Sequence, residues 1–163
     1  MIKILFVCHG NICRSPMAEY VLKDMVKKRG LEDLFEIDSA ATSNEEIGNS
    51  VHPGTRNKLR ACGIPVGNHR AVRMRRQDYD HYDYLIGMEQ WNLRNMYRIV
   101  GIGPEEVEPK KIWRLLDFGK HPRDIADPWY TGNFDVTYDD IVEGCEAFLG
   151  FVLPEQRGKI RQK

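Results

Sequence analysis

The sequence predicts an α/β protein: a four-stranded parallel sheet with helices on both faces and a phosphate-binding loop after the first strand. Three observations carry that expectation. The first strand candidate is a continuous apolar run, as a strand buried on both faces requires. Further strand candidates alternate with helical stretches, which implies parallel pairing through right-handed crossovers. With 163 residues, 42% of them apolar and 29% charged, the chain can bury one substantial core, so residues 1–163 are expected to form a single domain.

"KILFVC" (3–8) is the first strand. From Ser15-Pro16 onward the spacing of Met17, Val21, Leu22 and Met25 turns helical, and "KKRG" with Gly30 supplies a stop. "LFEIDSA" (34–40) is the second strand. Pro53 opens a helix running through Leu59, halted by Gly63 and Pro65. "YDYLIGM" (82–88) is the third strand and 89–99 a helix; "KIWRLLD" (111–117) is the fourth strand. A loop rich in Asp, Pro and Gly covers 117–136, and a closing helix covers 137–153. In a parallel sheet the carboxyl ends of all strands share one edge, where ligands bind. Cys8 and the segments after Ala40, Met88 and Asp117 are therefore expected to converge.

Composition excludes several classes. Twenty-four basic and 24 acidic side chains cancel, so no global field recruits nucleic acid or an anionic membrane. No apolar run approaches the ~20 residues of a membrane helix. The start "MIKILFVCHG" lacks a cleavage-site pattern and reads as a strand, not a signal peptide. Four scattered cysteines (Cys8, Cys13, Cys62, Cys145) do not form a disulfide framework, which points to a reducing cytoplasm. Cys62 and Cys145 fall in helical stretches and are expected to be buried. A metal role for Cys8 and Cys13 lacks a second ligand pair at zinc spacing. "HRAVRMRRQ" (69–77) is offset by Asp78, Asp80 and Asp83; it reads as a solvated helix and loop, available to steer an acidic phosphopeptide.

The chemistry concentrates in "VCHGNICRSPMAE" (7–19). A loop between a strand end and a helix start gathers backbone N–H groups toward one point, and the helix adds its unpaired donors. Gly10 can take unusual dihedrals and approach a ligand closely. Asn11 tolerates a left-handed conformation. His9 through Ser15 thus form a nest for a compact anion, with Arg14 offering a planar fork to two phosphate oxygens. Positive potential at the mouth favours a Cys8 thiolate, which can attack phosphorus in line, and Ser15 is placed to donate to the sulfur. The plainer reading is a structural cysteine at a strand end; the strand before, helix after and Gly-Asn between argue against it.

This stretch resembles the phosphate-binding loop of the low-molecular-weight protein tyrosine phosphatases, and the chain looks like a bacterial variant. "IDSAAT" (37–42), "NHRAV" (68–72), "YDYLIGMEQWNLRNM" (82–96) and "DIADPWY" (124–130) occur in the family's order. The resemblance implies catalysis by Cys8 and Arg14 without metal or organic cofactor. Asp127 of "ADPWY" would be the general acid, held in place by Pro128, and later the base. Trp129 and Tyr130, otherwise ordinary loop aromatics, would form a wall against the phosphotyrosine ring. Ser39 and His69 match positions that hydrogen-bond Asn11, and Glu89 matches an acidic position behind the site that is usually aspartate. Cys13 would form a reversible disulfide with Cys8; packing beneath the loop is the alternative.

Eukaryotic members carry a tryptophan where this chain has Glu45, so one aromatic side of the cleft is replaced by a carboxylate. The implied substrates are phosphotyrosine proteins, a bacterial tyrosine kinase among the partners, with the enzyme a monomer or weak homodimer. Two rivals share the fold. A protein arginine phosphatase typically has threonine at the position of Ile12, and an arsenate reductase needs two further cysteines near the site, absent from 77–111.

Overall fold

The computed structural model describes residues 1–103 and 105–153. Its elements are β1 (Ile2–Cys8), α1 (Arg14–Lys28), β2 (Phe35–Ala41), α2 (Pro53–Ala61), α3 (Asp78–His81), β3 (Tyr84–Gly87), α4 (Gln90–Val100), β4 (Ile112–Arg114), α5 (Pro128–Thr131) and α6 (Phe134–Val152). The strands pair in the order β2-β1-β3-β4, every pairing parallel. The chain steps from β1 outward to β2, then to β3 and β4 on the other side. The strand order thus reverses at β1, and the crevice this opens lies at the end of that strand. Cys8 is the last residue of β1, in register with Ala41.

Alternation along β1 explains its unbroken apolar run. Ile4 and Phe6 join Met17 and Leu22 of α1 and Phe148 and Leu149 of α6 in one core. Leu5 and Val7 face the other way, into a second core with Met96 and Val100 of α4. Both faces are covered from Ile4 to Val7, so that stretch is apolar throughout, and the one charged residue, Lys3, sits at the less buried start of the strand. Among the described residues, no helix is long and apolar enough to cross a membrane.

The structure corrects four expectations. The fourth strand ends at Arg114, because Asp117 Oδ2 accepts from the Arg114 N–H at 3.2 Å and turns 115–118 into a 3₁₀ helix. The 117–136 segment is not all loop: it holds α5, and α6 begins at Phe134 where the Asn133 side chain accepts from the Val136 N–H. Residues 69–77 form no helix. Their backbone bonds instead to the end of β2 (Ala41 N–H to Val72 O at 2.7 Å, Met74 N–H to Ala41 O at 2.8 Å), burying Ala71 and Met74. Cys62 lies one residue past α2 and is exposed, whereas Cys145 is buried as expected.

The 3₁₀ turn packs under α6 through a close approach at Gly144, where a Cβ would sit 2.5 Å from Leu115 Cγ. Gly144→Ala forces the helix away from that turn. Overpacking of this kind costs about 1–3 kcal/mol, against ~1 kcal/mol gained from helix propensity. The expected net loss, up to about 2 kcal/mol, is read from the urea midpoint at unchanged m; an unshifted midpoint means Leu115 simply yields.

Candidate active site

The cradle begins where β1 runs out. Asn11 is the one non-glycine residue with a positive φ, 60°, among the described residues. Gly10, expected to supply the unusual dihedrals, does not adopt a positive φ; what it supplies is room, since a Cβ there would stand 3.3 Å from Glu46 Cγ. The turn at Asn11 directs the backbone back over the sulfur. Asn11 N–H and Ser15 N–H point at Cys8 Sγ, at 3.3 and 3.4 Å, and Ser15 Oγ lies 3.0 Å from it. Three hydrogen-bonding groups thus face one sulfur. Helix α1 opens here with no acidic residue in its first turn and no side-chain cap, so the positive end of the helix faces the nest undiluted.

A buried network holds Asn11 in this shape, and its donor directions can be worked out. The Val72 N–H can only donate, at 3.1 Å, so the atom it meets is Asn11 Oδ1. His69 Nε2, 2.7 Å from the same oxygen, must then carry a proton. Burial pushes the His69 pKa down despite nearby Glu19, consistent with a neutral ring. Asn11 Nδ2 donates to Ser15 Oγ at 2.8 Å and to Ser39 Oγ at 3.0 Å. Ser39 in turn gives its own hydroxyl proton to Glu19 Oε1 at 2.6 Å. With Ser15 Oγ already accepting, the proton of its hydroxyl is free to point at Cys8 Sγ. The bonds therefore diverge from the Asn11 amide: one branch runs through Ser15 to the sulfur, the other through Ser39 to Glu19. Glu19, 3% exposed, anchors the network and escaped the sequence reading because on sequence alone it looks like an ordinary helix-surface acid.

Arg14 is the largest fully buried side chain among the described residues, 1% exposed. Its Nη1 donates to Glu89 Oε2 at 2.5 Å and to Ile125 O at 2.8 Å, and Nη2 to Asp127 Oδ2 at 3.3 Å. Burial works against its charge, but Cys8, Asp127 and Glu89 outweigh that and hold the guanidinium above its ordinary pKa. Arg14 Nε has no partner among the described residues, a donor left over for an anion in the nest. Glu89 is set by buried Asn92, whose Oδ1 accepts from the Met88 and Glu89 N–H groups at 2.9 and 3.1 Å.

Asp127 arrives from the far end of the chain. Ile125 N–H bonds to Met88 O at 2.9 Å, and Thr137 Oγ1 donates to Ala126 O at 3.0 Å, pinning the segment to the edge of β3. Asp127 caps α5 through Oδ1, which accepts from the Trp129 N–H at 3.0 Å, while Oδ2 faces Arg14. One cleft is lined by Cys8, His9, Ile12, Cys13, Asp127, Trp129 and Tyr130, with Glu45 and Glu46 at its rim. Cys8 is only 3% exposed, but it belongs to the floor of that cleft. Trp129 and Tyr130 are exposed; Trp129 stands edge-on to His52 at 5.7 Å, and His52 stacks on Phe134 at 5.2 Å. His9 Nε2 and Glu45 Oε2 are 3.0 Å apart. Cys13 is a buried free thiol whose pKa is pushed up to about 12, mainly by burial and then by Cys8 and Asp127.

Every site residue expected from the sequence thus stands in or directly behind one cleft. Of the basic side chains in the 69–77 run only His69 takes part, through Asn11; Arg70, Arg73 and Arg75 line a neighbouring cavity with Asp38 and Asp78, whose wall Ser39 and His69 share.

A parallel α/β sheet with an arginine-backed anion nest and a cysteine at its switch point defines the class, an α/β phosphatase. The chain belongs to the low molecular weight phosphotyrosine protein phosphatase family, whose model matches residues 3–159. It is 40% identical to the low molecular weight protein-tyrosine-phosphatase YfkJ of Bacillus subtilis over 96% of this chain and 99% of that one. The crystal structure of YfkJ superimposes with a TM-score of 0.89. The structure of SP-PTP from Streptococcus pyogenes is similar at 33% identity and a TM-score of 0.85, covering 98% of each chain. That of DARP, a Drosophila arginine phosphatase, is similar at 32% identity and 0.84, covering 94% of this chain and 99% of that one.

Proposed function

We propose that residues 1–163 form one phosphatase domain that hydrolyses phosphotyrosine in proteins through a phosphocysteine intermediate, with no metal or organic cofactor. The observation that carries the reading is the convergence on Cys8 Sγ of two backbone N–H groups and Ser15, beside Arg14 and Asp127. The thiolate attacks phosphorus in line as the bond to the tyrosyl oxygen breaks, and Asp127 gives that oxygen its proton. Arg14 Nε, Nη2 and the loop N–H groups hold the equatorial oxygens, where charge spreads in the transition state. The Asp127 carboxylate then takes a proton from water, whose oxygen bonds to phosphorus as the S–P bond breaks, releasing phosphate and the Cys8 thiolate.

Cys13, held as a thiol beside the nucleophile, fits a protective role: a Cys8 sulfenic acid would condense with it to a disulfide and water. The substrates implied are cytoplasmic phosphotyrosine proteins, a bacterial tyrosine kinase among them, and the enzyme works as a monomer or weak homodimer without nucleic acid or membrane. Arsenate reduction has little support, since Cys62 is exposed beyond α2 and Cys145 is buried in α6.

Likeness to an arginine phosphatase makes phosphoarginine the serious rival, and Ile12 is the residue that separates the two. Its apolar side chain lines the cleft where a threonine hydroxyl would serve a phosphoguanidinium. Turnover is to be compared on matched phosphotyrosine, phosphoserine and phosphoarginine peptides. The phosphotyrosine peptide is expected to lead by at least about 100-fold in kcat/KM, the discrimination that a mismatched leaving group and ring site supports. Faster phosphoarginine cleavage would put the tyrosine reading aside.

A further inference from the structure

The rim of the cleft carries two carboxylates, and they are not equivalent. Glu45 is largely exposed and meets His9 Nε2 at 3.0 Å, so a protonated histidine can balance it. Glu46 has no such cation among the described residues. Its Oε2 accepts from the neutral Asn49 amide at 2.6 Å, and its stem lies against the cradle at Gly10, where a Cβ would be 3.3 Å from Cγ. The side chain is therefore half-buried, fixed from below by the phosphate loop and from the side by Asn49. Its charge reaches into the cradle, where it helps hold the Cys13 thiol up.

No Lys or Arg lines the cleft among the described residues, and Arg14 lies beneath the floor with its charge committed to Glu89 and Asp127. Arg70 donates to Gly48 O at 3.0 Å and lines the neighbouring cavity with Arg73 and Arg75, not the cleft. The basic run therefore does not steer acidic peptides into the site. A substrate whose phosphotyrosine enters the nest carries its neighbouring residues across the rim, against Glu46.

We propose that Glu46, assisted by Glu45, is a specificity-determining residue that selects phosphotyrosine substrates with Lys or Arg beside the phosphotyrosine and rejects those with Asp or Glu there. The proposal rests on the phosphatase reading above. A carboxylate already fixed in place meets an incoming ammonium or guanidinium with little ordering cost on the protein side. An acidic neighbour meets like charge at the same spot, so attraction and repulsion add in the ratio between the two peptides.

The test compares two phosphotyrosine peptides identical except for Lys or Asp on both sides, with p-nitrophenyl phosphate as a substrate that has no flanks. The Lys-flanked peptide is expected to have about tenfold higher kcat/KM at low salt, shrinking toward parity near ~0.5 M salt as screening sets in. Glu46→Gln is expected to cut the ratio about threefold, and Glu46→Lys to invert it. Absence of turnover on p-nitrophenyl phosphate would remove the phosphatase reading itself. Turnover there with a wild-type peptide ratio at or below one overturns the proposal alone. A ratio that Glu46→Gln and Glu46→Lys both leave unchanged overturns it as well, because selection then lies elsewhere.

Discussion

Cys8→Ser is expected to lower kcat by at least about 10⁴-fold on every phosphate ester, while phosphate and phosphotyrosine peptides still bind. The two halves of that result have separate causes. A serine hydroxyl stays protonated under the same nest, and no side chain in this cleft is arranged as a base for it. Ser15, 3.0 Å from the sulfur, has its own oxygen lone pairs engaged by Asn11 and is oriented as a donor. Binding depends on other atoms: Arg14, the loop N–H groups and the open end of α1 remain as they were. The hydroxyl oxygen that replaces the sulfur accepts from the same Asn11 and Ser15 N–H groups, so the fold is expected to hold. Equilibrium binding of a phosphotyrosine peptide, read by calorimetry, with a parallel melting curve, checks both points. Residual turnover within about tenfold of wild type would remove Cys8 as nucleophile.

The parts of this site that sequence makes legible are those built from neighbours in the chain. The cradle, its cysteine and its arginine occupy eight consecutive positions, from the last residue of a strand into the first turn of a helix, so local grammar alone places them. Asp127 is legible in kind, as an acid before a proline, yet its arrival beside Arg14 depends on contacts spanning 113 residues. Glu19, Asn92 and Glu46 were not legible. Glu19 lies on α1 between Ala18 and Tyr20 with Ser15 and Lys23 a turn away, and only the packing of β2 and the 69–72 segment makes it the anchor of the Asn11 network. Asn92 looks like a helix-surface amide until α4 docks and its oxygen caps the end of β3. The start of α6 was within reach: Asn133 is a strong capping residue, but the Gly and Asp around it argued more loudly for loop. The basic run misled for a related reason, since Ala71 and Met74 carry too little hydrophobicity to announce that β2 would recruit the segment as an edge.

Asp127→Ala is the second large effect, and its size is expected to depend on the leaving group. If the carboxyl protonates the departing oxygen, its loss slows a phenyl or tyrosyl phosphate by about 10²–10⁴-fold. An ester such as p-nitrophenyl phosphate, which leaves readily as an anion, should lose far less. Asp127 also has two structural roles here, capping α5 through the Trp129 N–H and pairing with Arg14, so a simple deletion confounds chemistry with stability. Asp127→Asn separates them. Asparagine caps a helix about as well as aspartate, whereas alanine at a cap costs about 1 kcal/mol. Arg14 keeps Glu89 and the Ile125 carbonyl in either variant, so its position does not depend on Asp127 alone. The expected pattern is a melting temperature close to wild type for Asp127→Asn and a few degrees lower for Asp127→Ala, with the same steepened dependence of rate on leaving-group basicity in both. A uniform slowing across the ester series would mean that Asp127 only positions Arg14 and α5, and the proton for the leaving tyrosine would then have to come from solvent.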